Sequence, residues 1–208
     1  MPASNSPASR SEGRASRLIL ASASPRRLEL LAQIGITPNL VQPSKIEEII
    51  RPRELPIAAA RRLAEAKAWD VSREFSGDFV LGADTIVACG RRILGKAQSE
   101  TEARRFLSLL SGRRHKVFGG VSVIDPDGKS HTRVVTTSVA VKRLSEREIS
   151  DYIDGGEWRD KAGAYAIQGK AAVFIRQIIG SYSNVVGLPL FETAALLHGL
   201  GYEGKAGR

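Results

Sequence analysis

Cysteine is nearly missing from this 208-residue chain: Cys89 is the one present, so no intramolecular disulfide can close and a disulfide-stapled scaffold is excluded. Histidine is almost as scarce. His115, His131 and His198 are too scattered to make a His/Cys metal motif, which argues against zinc. Long apolar runs are absent as well, since the longest stretch without a polar residue, Val185 to Phe191, falls far short of the roughly 20 residues a membrane-spanning helix needs. Aromatic residues make up 6% of the chain and are not interleaved with basic ones, so a stacking platform for single-stranded nucleic acid is not expected. No internal repeat and no interdomain linker is visible.

What is present fits a globular protein. Hydrophobic residues reach 42% and charged ones 25%, and the length suffices for one well-buried core or two small lobes. Lys and Arg outnumber Asp and Glu by 31 to 22, a net charge of +9. Such a surface attracts nucleic acid, anionic membrane or small polyphosphates, and the total does not choose among them. Position is more informative, because Arg10, Arg14 and Arg17 against Glu12 place only a small part of the excess near the N-terminus. The rest comes in pairs along the folded part, among them Arg26-Arg27, Arg61-Arg62 and Arg113-Arg114, for most of which a solvated surface is the plain explanation.

Residues 1–16 are rich in Ser, Ala and Arg without apolar periodicity and are expected to be a flexible tail. A transit-peptide reading is weakened by Glu12 and by the lack of an amphipathic pattern. Residues 17–203 form the predicted α/β domain, and 204–208 a short C-terminal tail. The pattern predicts strands over Leu18–Ser22, Phe79–Cys89, Val117–Ile124, Thr132–Lys142 and Ala171–Ile179. Helices are predicted from Ser24-Pro25 to Gly35, over Pro56–Val71, after Ser99, after Ser145 and over Pro189–His198. Ser99 with Glu102 and Ser145 with Glu148 read as capping boxes. Strands and helices alternate without a strict βαβ rhythm, so the sheet is expected to be mixed.

Three segments suggest chemistry. In Ser22-Ala23-Ser24-Pro25-Arg26-Arg27 two arginines fall in the first turn of a helix, where they oppose its positive end; a bound phosphate would reverse that penalty. Asp84, within Gly82-Ala83-Asp84-Thr85-Ile86-Val87, is a carboxylate in an apolar strand and needs a partner from elsewhere: a metal ion, a lysine or a reacting water. The alternative is a structural hydrogen bond at a strand end. Lys67 shares a helical stripe with Ala60, Leu63 and Ala64, where a lysine snorkelling from the edge is the plain reading. Lys96 follows the hairpin that starts at Asp84, and Glu47-Glu48 is either a source of a hard oxygen ligand or simply solvated. Finally, Asp160-Lys161-Ala162-Gly163-Ala164-Tyr165-Ala166-Ile167-Gln168-Gly169 allows close backbone approach, with Gln168 offering both a donor and an acceptor, or else it is a tight turn.

With Gly95-Lys96 and Gly187-Leu188-Pro189-Leu190 added, these motifs in this order resemble the Maf family of nucleoside triphosphate pyrophosphatases over about Leu18 to Tyr202. The resemblance implies a two-lobed α/β domain around an elongated mixed β-sheet with helices on its faces, similar to inosine triphosphate pyrophosphatases, with its site in the cleft. It implies a cytoplasmic enzyme, often a homodimer. Gln168 together with Thr85 is similar to the branch acting on dTTP and UTP; a 7-methyl-GTP pyrophosphatase is the nearest alternative, and a septum-formation regulator binding nucleic acid the other. Ala97 departs from the family's usual proline, which is expected to alter loop rigidity rather than chemistry. By this resemblance Ser22, Arg26, Lys67 and Lys96 hold the triphosphate, Arg27, Thr85 and Gln168 select the base, and Asp84 and Glu48 bind Mg²⁺ or Mn²⁺. Asp84 is also the expected general base.

Overall fold

Alternation along two strands sets the architecture. A computed structural model describes residues 16–204, in which β1 (Leu18–Ala21) and β3 (Phe79–Cys89) run side by side. Leu18, Leu20, Leu81, Ala83 and Val87 point to one face, and Ile19, Ala21, Val80 and Ile86 to the other. Both faces are therefore apolar, and each must be covered. The first face carries α1 (Pro25–Gln33), α3 (Glu100–Leu110), α4 (Glu146–Asp154) and α6 (Leu190–Gly199), and the second carries α2 (Pro56–Ser72). Leu18, Leu20 and Leu81 are fully buried, each contributing about 1.5–3 kcal/mol of apolar transfer.

The sheet is mixed, as the sequence predicts. Its order is β2 (Leu40–Val41), β1, β3, β5 (Arg114–Ile124), β6 (Ser130–Val141) and β7 (Ile175–Ile179), with β4 (Arg92–Leu94) paired to β3. β1 is parallel to β2 and β3, and the remaining pairs are antiparallel. On one edge β3 pairs with β1 only as far as Gly82 and with β4 only from Val87. Residues 83–86 pair with β5 alone, and this gap in the sheet is where the cleft opens.

Two glycines bring α2 against that gap. A Cβ on Gly82 would lie 2.5 Å from the Ala64 carbonyl oxygen, and one on Gly120 would lie 2.1 Å from that of Ala60. Gly120 pairs directly with Asp84. The helix thus passes close over the α2-facing side of β3, on which Asp84 also lies.

Several predicted elements differ from the structure. Residues 171–174, predicted as the start of a strand, belong to a 3₁₀ turn (Lys170–Phe174) that buries Ala171 and Phe174, and β7 starts only at Ile175. The two-residue β2 and the short helix α5 (Tyr182–Val186) carry no periodic pattern long enough to read. Ser24 occupies the N-cap of α1 but makes no side-chain cap bond. Ser99 accepts from the Glu102 N–H, yet Glu102 returns its carboxylate to the Gln98 N–H, so the box at α3 is only half formed, whereas the Ser145–Glu148 box is complete. The tails predicted over 1–16 and 204–208 fall, apart from Ser16 and Gly204, outside the described residues.

The core also contains a histidine that stays neutral. His115 on β5 is 2% exposed, and burial pushes its pKa down to about 4. An unfolded histidine takes up its proton near pH 6.5, so this group adds stability above that pH that is lost as pH falls towards 4. Urea unfolding at stepped pH is expected to show a loss of about 3 kcal/mol over this window beyond that of His115→Gln. Parallel pH curves for the two proteins would show that His115 is not the titrating group.

Candidate active site

The cleft has a volume of about 610 Å³, within the range that holds a small ligand, and is lined by the segment after β1, the 43–48 loop, α2, β3, Lys96 and the 160–168 loop. Five cations, Arg26, Arg27, Lys67, Lys96 and Lys161, face three carboxylates, Glu48, Asp84 and Asp160. An excess of positive charge in a concave site favours a polyanion.

At its floor Lys67 donates to Asp84 Oδ1 at 2.6 Å. The same Nζ lies 2.7 Å from Glu48 Oε1, and Lys96 Nζ lies 3.6 Å from Glu48 Oε2. Lys67 is 6% exposed and Asp84 4%, so the lysine does not snorkel to solvent as its stripe alone suggested; it answers the unpaired strand carboxylate. Burial would raise the Glu48 carboxyl, but the hydrogen bond from Lys67 and the charges of Lys67, Lys96 and Arg27 hold it below its ordinary range. Glu47 is exposed and does not line the cleft.

Arg27 and Arg26 part company. Arg27 is 8% exposed: its Nε donates to the Gly187 carbonyl at 2.9 Å, Nη1 to Ser22 Oγ at 2.9 Å and Nη2 to Thr85 Oγ1 at 3.4 Å. It is a brace that ties the end of β1 to β3 and to the loop before α6, and it is not a solvated arginine. Burial lowers its pKa against the pull of Asp84 and Glu48. Arg26 is half-buried and makes no ion pair or hydrogen bond among the described residues. Burial lowers its pKa while Glu29 and Asp160 raise it. Its guanidinium therefore remains available to a ligand at the N-terminus of α1, where no side chain caps the leading N–H groups.

Ser22 Oγ accepts from Arg27 and from the Ser24 N–H, leaving its own proton to donate. Gln168 is exposed and lines the same cleft. Ser22, Arg26, Arg27, Glu48, Lys67, Asp84, Thr85, Lys96 and Gln168 thus line one cleft, whereas Glu47 does not. Sequence reasoning overlooked Lys161 as a cleft cation, although it stands in the motif beside Asp160, and it gave no role to Tyr165, which also lines the cleft.

Residues 17–200 match the family described as Maf-like protein. The chain belongs to this family. A dTTP/UTP pyrophosphatase of Paramagnetospirillum magneticum is 60% identical to this Maf-like chain over 185 residues, covering 89% of this chain and 97% of that protein. A dTTP/UTP pyrophosphatase of Caulobacter vibrioides is 56% identical over 185 residues, covering 89% and 96%. Among solved structures, a nucleoside-triphosphatase / dITP/XTP pyrophosphatase from Mycobacterium abscessus has a TM-score of 0.37 and 14% identity to the Maf-like chain, covering 61% of it and 73% of its own chain.

Proposed function

We propose that this Maf-like protein is a nucleoside triphosphate pyrophosphatase that hydrolyses dTTP and UTP to the monophosphate and pyrophosphate. The observation that carries the proposal is the convergence of Lys67, Asp84, Glu48 and Lys96 at the floor of a cationic cleft. High identity to dTTP/UTP pyrophosphatases along nearly their whole length supports it.

A nucleoside triphosphate brings about four negative charges, and its hydrolysis depends on charge neutralisation and an in-line nucleophile. Arg26, Lys67, Lys96, Ser22 and the open N-terminus of α1 meet the phosphates. Only Lys67 donates to Asp84 among the described residues, and it uses Oδ1. Oδ2 is left to take a proton from water as that water bonds to the α-phosphorus and the bond to the β-phosphate oxygen breaks.

The donor set also fits a hard divalent ion. Asp84 Oδ1 and Glu48 Oε1 both bond the Lys67 ammonium, at 2.6 and 2.7 Å, so the two carboxylates are neighbours, and an ion held by both would use oxygens not taken by that ammonium. No cluster of three metal-ligating side chains occurs among the described residues. Mg²⁺ commonly takes one or two carboxylates and completes its shell with phosphate and water oxygens. Asp84 and Glu48 would hold Mg²⁺ or Mn²⁺, and the bound ion supplies further positive charge against the phosphates. No helix among the described residues is long and apolar enough to cross a membrane. Action in the cytoplasm as a homodimer belongs to the same proposal.

Base selection falls to Gln168, with Arg27 and Thr85, which line the same cleft. Uracil and thymine present a carbonyl, an N–H and a second carbonyl, to which one carboxamide can both donate and accept; cytosine puts an amine and a bare ring nitrogen there. A polar site rejects a mismatched edge because its own groups would be left unpaired. Gln168→Ala is expected to narrow the UTP to CTP ratio of kcat/KM more than it slows UTP. Equal slowing of both, or a wild-type preference for 7-methyl-GTP, would overturn this assignment.

A further inference from the structure

The turn that presents Gln168 is held by no strand or helix of its own. The Gly169 N–H donates to the Ala166 carbonyl at 3.0 Å, closing a turn with Ile167 and Gln168 at its two central positions. What fixes this turn in space comes from outside it. The Ala166 N–H donates to Tyr152 Oη at 3.0 Å. One residue earlier, Tyr165 Oη lies 2.8 Å from His115 Nε2. On the far side, the Lys170 N–H donates to Glu157 Oε2 at 2.8 Å.

The groups that grip the turn are deeply placed. Tyr152 on α4 and His115 on β5 are each 2% exposed, and neither lines the cleft. A phenol or imidazole in an apolar core costs free energy unless its polar atoms are used. The partner of Tyr152 Oη is the Ala166 N–H, and the His115 ring bonds through Nε2 to Tyr165, with Nδ1 unpartnered among the described residues. The core thus accepts polar groups whose bonds are spent on the segment leading into Gln168. Upstream, Ala164 holds φ at +58°, a left-handed conformation that persists only where surrounding structure enforces it. Burial pushes the Tyr152 hydroxyl up to about 12 and His115 down to about 4, so both stay neutral over the working range of pH.

We propose that Tyr152, directly, and His115, through Tyr165, are positioning residues that set the Gln168 turn for pyrimidine selection. The proposal rests on the reading of Gln168 above. It separates two tasks by location: the phosphate-binding Arg26 and Lys67 stand on α1 and α2, whereas the Gln168 turn is held from α4 and β5. Loss of a positioning hydrogen bond should therefore act on discrimination and leave the chemical step alone.

The test compares KM and kcat for UTP and CTP in Tyr152→Phe, His115→Leu, His115→Gln and Gln168→Ala, each checked for thermal unfolding. Tyr152→Phe and His115→Leu are expected to lower the UTP to CTP ratio of kcat/KM by about tenfold, the effect of losing one hydrogen bond's worth of discrimination. The loss should appear in KM for UTP, with kcat held within about twofold. His115→Gln, which restores a polar partner for Tyr165, should recover most of the ratio. A Gln168→Ala protein with a collapsed ratio beside folded Tyr152→Phe and His115→Leu proteins with the wild-type ratio would overturn the positioning role and leave the Gln168 assignment standing. An unchanged ratio in Gln168→Ala would overturn both. If His115→Leu does not fold, Tyr152→Phe alone decides.

Discussion

Asp84→Asn is expected to lower turnover of dTTP and UTP by at least about 100-fold, the effect of losing a general base, while the protein remains folded. The substitution keeps the shape of the side chain, and its carbonyl can still accept from Lys67, which now lies 2.6 Å from Asp84 Oδ1. Lys67 also keeps its pairing with Glu48 at 2.7 Å, so no buried cation is stranded. What is lost is the negative charge and the atom that takes the proton. Circular dichroism and urea unfolding should show a native-like protein. Steady-state kinetics should then place the loss in kcat, and a folded Asp84→Asn protein with near-normal turnover would contradict the mechanism.

Lys67→Ala should have the second largest effect, and of a different kind. Lys67 is buried between Asp84 and Glu48, and its removal leaves the buried Asp84 carboxylate without its hydrogen-bonded cation. Breaking a buried pair by deleting one partner costs about 3–5 kcal/mol of stability. For the reaction, KM should rise by about tenfold, with dTTP, UTP and CTP affected alike because the phosphates are common to all three. Lys96→Ala should raise KM in the same even manner but less, since Lys96 is exposed and stands 3.6 Å from Glu48. Raising the salt should weaken nucleotide binding in the wild type. If both alanine variants keep wild-type constants for dTTP, these lysines serve only the structure.

The contrast between Asp84 and Lys67 shows how much of the site can be read from the chain. A carboxylate in an apolar strand announces that it needs a partner, and a lysine on an inward helical stripe announces that it must be paired or must reach solvent. Neither signal says that the two belong to each other. Their meeting depends on Gly82 and Gly120, whose missing side chains let α2 approach β3, and on the register that sets Gly120 opposite Asp84. That is tertiary information. Arg27 makes the same point, since its bond to the Gly187 carbonyl spans 160 residues of sequence.

Where a local rule was strong, the fold followed it. Ser145 and Glu148 form the capping box that starts α4, and the long β3 runs over the residues its apolar run predicts. Where the rule was weak, the structure chose otherwise. Residues 171–174 read as strand but belong to a 3₁₀ turn, at whose start the Glu157 carboxylate takes the Lys170 N–H and Gly169 packs against that same carboxylate. The residues proposed to select the base, Arg27, Thr85 and Gln168, were legible through their motifs; Tyr152 and His115 behind Gln168 are distant in sequence and carry no local signal.

The central claim, pyrophosphate release from a pyrimidine nucleoside triphosphate at Asp84, is tested most directly by one assay. Purified protein is incubated with dTTP, UTP, CTP, the purine triphosphates and 7-methyl-GTP, with and without Mg²⁺, and both nucleotide and phosphate products are resolved. The account predicts that dTTP and UTP yield the monophosphate and pyrophosphate in equal amounts, that Mg²⁺ is required, and that Asp84→Asn removes the activity. Release of orthophosphate with a nucleoside diphosphate, or a preference for 7-methyl-GTP or another purine, would contradict it.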